Sequence, residues 1–269
     1  MTMPRWFALT AMLAVGSLLH AATIDFSGRT WTVRDQANSG PGPNTFSPQN
    51  VWTDSAGLHL QIARDASSDW TCAEVYLPAS LGYGRYMFQV AADTTQLHPQ
   101  AVLGLFTYAD DTHEIDIESS RWGNASNSWN QQFVTQPYDR AGGNNIHRFT
   151  QGAGLGTVTC YFEWQPDRIF WQNYQGTSLV PPAVGSAATI GSYEYTSAMG
   201  SDIPTPGSER VHMNLWLYGG AASAAGNLTS QEVVIGSFTF TSIPEPALVL
   251  LIPAAGMLCL LRSMGRTGK

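Results

Sequence analysis

Short runs of alternating or wholly apolar residues recur along the sequence, separated by clusters of Gly, Pro, Asn and Asp. Examples are GLHLQIAR, GRYMFQVAA, AVLGLFTYA and VHMNLWLY. On a strand, alternation sends successive side chains to opposite faces, whereas an amphipathic helix needs a period of about 3.6 residues, which is hard to find here. Many short strands with turn signals between them predict an antiparallel all-β sandwich in a single domain.

The first 22 residues differ in composition from those that follow. Arg5 precedes an apolar stretch, which ends at the small residues Ala21 and Ala22. This order is typical of a secretory signal peptide, and the stretch is short for a membrane span of about 20 apolar residues. We therefore expect residues 1–22 to be removed on export and residues 23–242 to form the folded domain.

The end of the sequence has three elements in order: the motif Pro244-Glu245-Pro246, an apolar run over 247–261 and a basic end. The apolar run is short for a span, so its length allows either a strained membrane anchor or a cleaved tail. The arrangement resembles the PEP-CTERM sorting signal of Gram-negative bacteria. The resemblance implies that an exosortase-type enzyme processes residues 243–269. Export would then lead, through transient membrane association, to the cell surface, the extracellular matrix or the outer-membrane side.

The charge of the predicted domain excludes some partners. The sequence has 13 basic and 20 acidic residues, and removing both ends takes away four basic residues and one acidic residue, which leaves nine against 19. Because the domain has no basic run, it is a poor match for nucleic acid or an anionic membrane, whose phosphates it would not neutralise. Neutral glycans are an easier match, and we expect a monomer.

Three carboxylates stand at alternate positions in the run HEIDIES. On a strand, Glu114, Asp116 and Glu118 share one face, and Ile115 and Ile117 share the other. Like charges on one face repel each other, so such a face is either fully solvated or is retained for a function. The preceding run AVLGLFTYA and the two isoleucines indicate a central strand, where acidic side chains are seldom idle. The triplet is therefore a candidate catalytic site.

The segments YGRYMFQV, HEIDIE, FEWQPDRIFWQNYQG and HMNLWLYGG occur in this order across roughly residues 80–220. Together they resemble glycoside hydrolase family 16, the laminarinase and lichenase group of retaining β-glycanases. The resemblance implies a jelly roll of two curved antiparallel sheets with a substrate cleft on the concave face. We expect no cofactor, and a structural calcium ion with unknown ligands, as in some relatives, is left open.

By position, the resemblance assigns Glu114 as nucleophile, Glu118 as acid/base and Asp116 as their hydrogen-bonding and charge partner. Retaining glycosidases need two carboxyls about 5 Å apart, and long glutamates on a curved strand can lean toward each other. Repulsion from ionised Glu114 and Asp116 is expected to raise the pKa of Glu118, which then donates its proton to the leaving oxygen. Once Glu114 is esterified, Glu118 becomes a better base for the incoming water.

Aromatic side chains are the expected platforms for sugar rings, because the CH-rich faces of sugars stack on indole and phenol rings. Trp216 alternates with two leucines, so it projects to the opposite face from them and is a candidate for the cleft. Trp122 and Trp129 follow the triplet and are further candidates. Trp164 lies in a segment that matches the family, and the sequence leaves its place open between the cleft and the core.

Cys72 and Cys160 are the cysteines of the predicted domain, since Cys259 belongs to the tail. An even pair in an oxidising compartment suggests one disulfide. The sequence does not show that the two residues meet.

The primary prediction is an exported retaining endo-β-glycan hydrolase that favours β-1,3-glucan or mixed β-1,3/1,4-glucan. A transglycosylase with the same site is not distinguished from it. The alternative from another class is a noncatalytic glycan-binding or exopolysaccharide-matrix protein on the same scaffold. The three acids favour the enzyme, because a binding protein gains little from adjacent carboxylates that repel each other.

Overall fold

A computed structural model describes residues 21–200 and 203–243 of the chain. Nearly all of the predicted signal peptide and of the predicted sorting tail lies outside these residues, so both stay predictions. Within the described ranges, no helix is long and apolar enough to cross a membrane. The same ranges contain 18 strands and three short 3₁₀ helices.

The strands are, in chain order, β1 (Thr23–Phe26), β2 (Arg29–Val33), β3 (Gln36–Ser39), β4 (Asn44–Phe46), β5 (Val51–Asp54), β6 (Gly57–Arg64), β7 (Trp70–Thr71), β8 (Ala73–Tyr76), β9 (Gly84–Val90), β10 (Ala101–Tyr108), β11 (Glu114–Ser119), β12 (Gln131–Thr135), β13 (Ile146–Phe149), β14 (Val158–Gln165), β15 (Arg168–Gln175), β16 (Thr189–Thr196), β17 (Arg210–Leu217) and β18 (Gln231–Ser242). The 3₁₀ helices are Pro48–Asn50, Thr94–Gln96 and Ala221–Ser223.

The strands form two large antiparallel sheets, which confirms the predicted all-β jelly-roll sandwich. The cleft sheet has the order β1-β2-β8-β17-β10-β11-β12-β13. The outer sheet has the order β16-β15-β14-β9-β18-β6-β5, with the short β7 paired to β6, while β3 and β4 form a separate hairpin. Because β11 lies between β10 and β12, the acidic run occupies an inner strand of the cleft sheet.

The hydrophobic core lies between the two sheets and follows the alternation of each strand. Ile115 and Ile117 of β11 are buried in the core, and the acids between them project from the opposite face. The same alternation buries Phe162 of β14 and Trp171 of β15 from the side of the outer sheet. Burial of each such side chain stabilises the fold by roughly 1.5–3 kcal/mol, so a slip of register by one residue would be costly.

The disulfide predicted between Cys72 and Cys160 is not formed: both cysteines are free and buried. Cys72 donates a hydrogen bond from Sγ to Oδ1 of Asn44, at 3.4 Å. Cys160 lies within β14, in register with Phe88 and Asn173 on the neighbouring strands. The two thiols therefore have different neighbours, and burial raises the pKa of each to about 12, so neither is a thiolate at neutral pH.

Candidate active site

The face of the cleft sheet that is turned away from the core carries a cleft of about 1000 Å³. Residues in register lie side by side across an antiparallel sheet, so the floor of this cleft consists of rows of side chains. One row places Glu118 of β11 between Gly104 of β10 and Gln132 of β12. The next row places Asp116 beside Phe106. The acidic face of β11 therefore forms part of the cleft floor.

The three acids predicted from the sequence all line this cleft. Glu118 accepts a hydrogen bond at Oε2 from Nε2 of Gln132, at 2.8 Å. Asp116 accepts one at Oδ2 from Nε2 of Gln136, at 3.1 Å, and a further hydrogen bond joins Asp116 to Glu114. Two carboxyl groups share a hydrogen bond only when one of them is protonated, so the triplet holds at least one proton.

Burial raises the pKa of all three carboxyls. It raises the pKa of Glu114 to about 8, against the hydrogen bond from Asp116 and together with repulsion from Glu118. It raises the pKa of Glu118 to about 7, against the hydrogen bond from Gln132. Burial and then the charges of Glu114 and Glu118 raise the pKa of Asp116 well above its usual value. The pKa of Glu118 thus rises in the expected direction, but its cause is burial and not the expected repulsion from Glu114 and Asp116.

We expect the proton shared by Glu114 and Asp116 to reside on Asp116. Their hydrogen bond lowers the pKa of Glu114 and raises the pKa of Asp116, which is the pattern expected when Asp116 is the donor. Asp116 is also only 3% exposed, so a charge there is costly. Glu114 thereby receives a hydrogen bond that favours its carboxylate form, while Glu114 and Glu118 compete for a second proton.

On one side of β11 lies a group that we call the open flank: Trp122, Trp129, Gln132 and Arg148. Arg148 of β13 donates from Nε to Oε1 of Gln132, at 2.8 Å. Its guanidinium lies over the indole of Trp129, 4.6 Å from the ring centroid, and Trp122 packs on the same indole with centroids 5.0 Å apart. Trp122 and Trp129 both line the cleft, where the sequence analysis expected them.

On the other side of β11 lies a buried ionic network that we call the closed flank: Arg34, Glu74, His212 and Asn214. Arg34 donates from Nη1 to Oε2 of Glu74 at 2.8 Å, and Nδ1 of His212 lies 3.0 Å from Oε1. Asn214 donates from Nδ2 to Oε2 of Glu74 at 3.4 Å. Burial alone would raise the pKa of Glu74, but the hydrogen bond and charge of His212 and the charge of Arg34 outweigh it and hold the pKa below its usual value.

Gly104 leaves a gap in the floor between the closed flank and Glu118. It is in register with Asn214 on one side and with Glu118 on the other. A Cβ at this position would lie 2.5 Å from Oδ1 of Asn214 and 3.3 Å from the ring of Phe106. Oδ1 of Asn214 is itself buried and has no hydrogen-bond partner among the described residues. Only a residue without a side chain fits between these groups in their present positions.

Aromatic rings stand side by side across β8, β17 and β10. His212 stacks between Tyr76 and Phe106, with ring centroids 5.3 and 5.0 Å away. These distances are close to the ~4.8 Å between neighbouring strands, so the rings stand upright and present their edges to the cleft. Trp216 of β17 is half-buried and also lines the cleft. Face-on stacking with a sugar is therefore expected from the indoles.

Trp164, a candidate for substrate binding, does not reach the cleft. It is 1% exposed in β14 of the outer sheet, and its Nε1 donates to the carbonyl oxygen of Pro204 at 2.9 Å. Its ring meets Tyr83 edge-on, with centroids 5.1 Å apart. The alternation of β14 turns this indole into the core, so Trp164 is a packing residue.

Sequence reasoning missed Glu74, Gln132, Arg148 and His212. Gln132 and Arg148 become visible only through the registers that join β11 to β12 and β12 to β13. Glu74 lies on β8, and the short run AEVY does not say which of its faces looks into the cleft. His212 had a usable signal, because it shares the parity of Trp216 on β17 and therefore the same face.

Within the described ranges, no group of three or more His, Cys, Asp or Glu side chains is arranged to hold a metal ion. The hydrogen-bond partners of the cleft acids named above are side-chain amides, an arginine, a histidine and one another. Whether a structural calcium ion binds through other ligands stays an open prediction.

Comparison with known proteins supports the fold. No protein-family model matches the sequence, and no curated protein matches it significantly. A solved structure described as a native glycosidic hydrolase is 21% identical over 80% of this chain and 91% of that chain, with a TM-score of 0.58. A Bacillus licheniformis β-glucanase is 21% identical over 79% and 92%, with a TM-score of 0.57. A β-1,3-1,4-glucanase (lichenase) from a mouse hindgut metagenome is 20% identical over 79% and 93%, also at 0.57. These similarities show a common fold.

Proposed function

We propose that this chain is a retaining β-glycan hydrolase of the kind found in glycoside hydrolase family 16. The observation that carries the proposal is the placement of Glu114, Asp116 and Glu118 on the floor of one cleft, with pKa values raised by burial. The shared fold with a β-glucanase and a lichenase supports the same class of reaction.

In the proposed double displacement, the carboxylate of Glu114 attacks the anomeric carbon while Glu118 gives its proton to the leaving glycosidic oxygen. A glycosyl ester forms on Glu114, and the shortened glycan leaves as an alcohol. Glu118, now ionised, takes a proton from water, and the resulting hydroxide displaces Glu114 with net retention. Asp116 keeps its own proton throughout and donates a hydrogen bond to Glu114. The mechanism requires the second proton on Glu118 and an ionised Glu114. Burial raises the pKa of Glu118 to about 7 and that of Glu114 to about 8, so the two carboxyls compete for this proton, and the hydrogen bond from Asp116 favours the carboxylate form of Glu114.

The favoured substrate is β-1,3-glucan or mixed β-1,3/1,4-glucan. Support comes from the activities named for the two matching glucanases and from the absence of a basic run in the sequence. The lining of the cleft extends from Glu74 on β8 to Arg148 on β13, so it crosses most of the cleft sheet. A cleft of that extent suits internal attack on a polysaccharide chain.

The test is release of reducing ends from a panel of β-glucans and galactans by the wild type, Glu114→Ala and Glu118→Ala. Each substitution removes one half of the double displacement, so we expect turnover to fall by about 10³-fold or more. Azide is expected to restore turnover in both variants. The product should be an α-glycosyl azide when Glu114 is missing and a β-glycosyl azide when Glu118 is missing.

Glu163→Gln is the matched control, because Glu163 is a carboxylate of the outer sheet that pairs with Arg85 and Arg168. Its turnover should equal that of the wild type. Near wild-type turnover in both triplet variants would overturn the assignment. A wild-type protein that binds a glucan and cleaves none would instead favour the noncatalytic glycan-binding alternative.

Export and sorting are proposals of the same kind, supported by residues 1–22 and 243–269 of the sequence. Cleavage is expected near the motif Pro244-Glu245-Pro246 in a host that has an exosortase-type enzyme. Intact-mass measurement of the mature protein decides the matter, since a mature species still ending at Lys269 would contradict the sorting proposal.

A further inference from the structure

Arg148 is connected to Glu118 through one intermediate side chain. Arg148, Gln132 and Glu118 occupy one cross-strand row, on β13, β12 and β11 in turn. Arg148 donates from Nε to Oε1 of Gln132, and Gln132 donates from Nε2 to Oε2 of Glu118, each at 2.8 Å. The two hydrogen bonds run in the same direction along the row, toward the acid.

The direction of this chain depends on which way the amide of Gln132 points. A glutamine amide has an accepting end and a donating end, and a half-turn exchanges them. A guanidinium has only donors, so Arg148 requires the carbonyl end to face it. The amino end must then face Glu118. With the amide reversed, two donors would confront each other at Arg148, and Glu118 would face a carbonyl oxygen that can bond only to its protonated form.

We propose that Arg148 is a positioning residue, which fixes the amide of Gln132 as a donor to Glu118 and so sets the pH at which Glu118 gives up its proton. The proposal rests on the function proposed above, in which Glu118 is the acid/base. Arg148 acts through Gln132 and need not touch the substrate.

The electrostatics of Glu118 agree with this role. Burial raises the pKa of Glu118 to about 7, and both the hydrogen bond from Gln132 and the charge of Arg148 act to lower it. Among the charged groups of the described residues near Glu118, Arg148 is the one that shifts its pKa. Asp116 and Glu114 lie on its own strand, and β10 and β17 offer uncharged Gly104 and Asn214 in the same row. Glu74, at the end of that row, is paired with Arg34 and His212.

Arg148 itself is held by the open flank and not by an acidic partner. It is exposed, its guanidinium lies over Trp129, and it makes no ion pair with the described residues. The orientation of its guanidinium therefore depends on the indole and on Gln132. A methionine at 148 would keep an apolar stem over Trp129 while removing the cation and its donors.

The test is a ¹³C NMR titration of the Glu118 carboxyl in the wild type, Arg148→Met, Gln132→Met and the double variant. We expect Arg148→Met to raise the pKa of Glu118 by about one unit, because both the oriented donor and the charge are lost. In the Gln132→Met background, the same substitution should add only about 0.3 unit, because the connection is already broken. Two results would overturn the proposal. One is an equal pKa shift in the wild-type and Gln132→Met backgrounds, which would show that Arg148 acts through space alone, and the other is no shift of the pKa of Glu118 in Arg148→Met.

Arg210→Met is the matched control. Arg210 is another exposed arginine of the cleft, and it lies over Tyr76 with the guanidinium 5.5 Å from the ring centroid. No hydrogen bond connects it to the triplet among the described residues, so the pKa of Glu118 should move by less than about 0.2 unit. Arg148→Gln serves as a second variant if Arg148→Met does not fold.

The pH dependence of kcat/KM on a cleaved β-glucan gives the second measurement. Hydrolysis requires protonated Glu118, so the alkaline limb should move to higher pH in Arg148→Met by the shift seen in the titration. Failure of the wild type to cleave any glycan would refute the proposed function, while the NMR titration would still decide the role of Arg148. A titration shift with an unmoved alkaline limb would contradict the assignment of Glu118 as acid/base.

Discussion

The two flanks of β11 hold charged side chains in different ways. On the closed flank, Glu74 is 3% exposed, and Arg34 and His212 satisfy its carboxylate from two sides. On the open flank, Arg148 is exposed and rests on an indole, with an uncharged amide as its hydrogen-bond partner. The first arrangement is buried and mutually satisfied, and the second is open to solvent. We infer that the closed flank contributes mainly stability and that the open flank tunes the acid.

The largest expected difference between the flanks is in the free energy of unfolding. Removing one partner of a buried ion pair leaves the other charge uncompensated, so Glu74→Ala should lower this free energy by about 3 kcal/mol. Arg148→Met should lower it by less than about 1 kcal/mol, because exposed interactions contribute little. Urea denaturation at pH 7 measures both values. Equal losses in the two variants would remove the distinction between the flanks.

The pH dependence of stability should have opposite signs for Glu118 and Glu74. The pKa of Glu118 is raised in the folded state, so its contribution is lost as pH rises from the unfolded value near 4.5 to about 7. The pKa of Glu74 is lowered, so its contribution is present above the unfolded value and is lost as pH falls through the folded pKa.

Glu118→Gln tests this sign. Relative to the wild type, the variant should gain about 2 kcal/mol more stability at pH 8 than at pH 5, because it removes a buried charge that exists only at the higher pH. Urea denaturation at the two pH values measures the gain. A gain that is the same at both would mean that the carboxyl of Glu118 is not destabilised by burial.

The smallest expected effects concern sugar binding by the indoles of the cleft. Trp216→Ala and Trp129→Ala, each made in the inactive Glu114→Ala protein, should weaken oligosaccharide binding by about 1 kcal/mol, or roughly five-fold in Kd. Calorimetry measures the affinity. Trp216 also packs against the core, so its removal should lower Tm, whereas removal of Trp129 should leave Tm nearly unchanged. A loss of Tm in Trp216→Ala with unchanged affinity would assign Trp216 to the core alone.

The sequence predicts the elements of this fold better than the contacts between them. Alternation within HEIDIES places three acids on one face and two isoleucines in the core, because both follow from one strand considered alone. The same reasoning left Trp164 open, since alternation does not say whether a face of β14 looks into the core or outward. The predicted disulfide was wrong for a related reason. An even number of cysteines in the domain suggests a pair, but the neighbours of Cys72 and Cys160 are set by the pairing of distant strands.

The residues connected to Glu118 by hydrogen bonds could not be predicted from the sequence for the same physical reason. Gln132 and Arg148 lie 14 and 30 residues further along the chain, and only the registers of β12 and β13 bring them into one row. Loop length and turn geometry set those registers, and the sequence between the strands does not reveal them. A polar residue on a cleft-facing strand is therefore visible in advance, whereas its hydrogen-bond partner is not.

Gly104 determines where this cleft can diversify over evolutionary time. Any side chain at position 104 must displace Asn214, and a shift of Asn214 disturbs its hydrogen bond to Glu74. Substitutions at positions 104, 214 and 74 are therefore expected to occur together. On the open flank, the indoles of Trp122 and Trp129 pack on each other, and a change at either position does not require a shift of Asn214. New glycan preferences should therefore arise from the side of β12 and β13. A combinatorial library aimed at a new specificity should randomise Trp122 and Trp129 and keep Gly104 fixed.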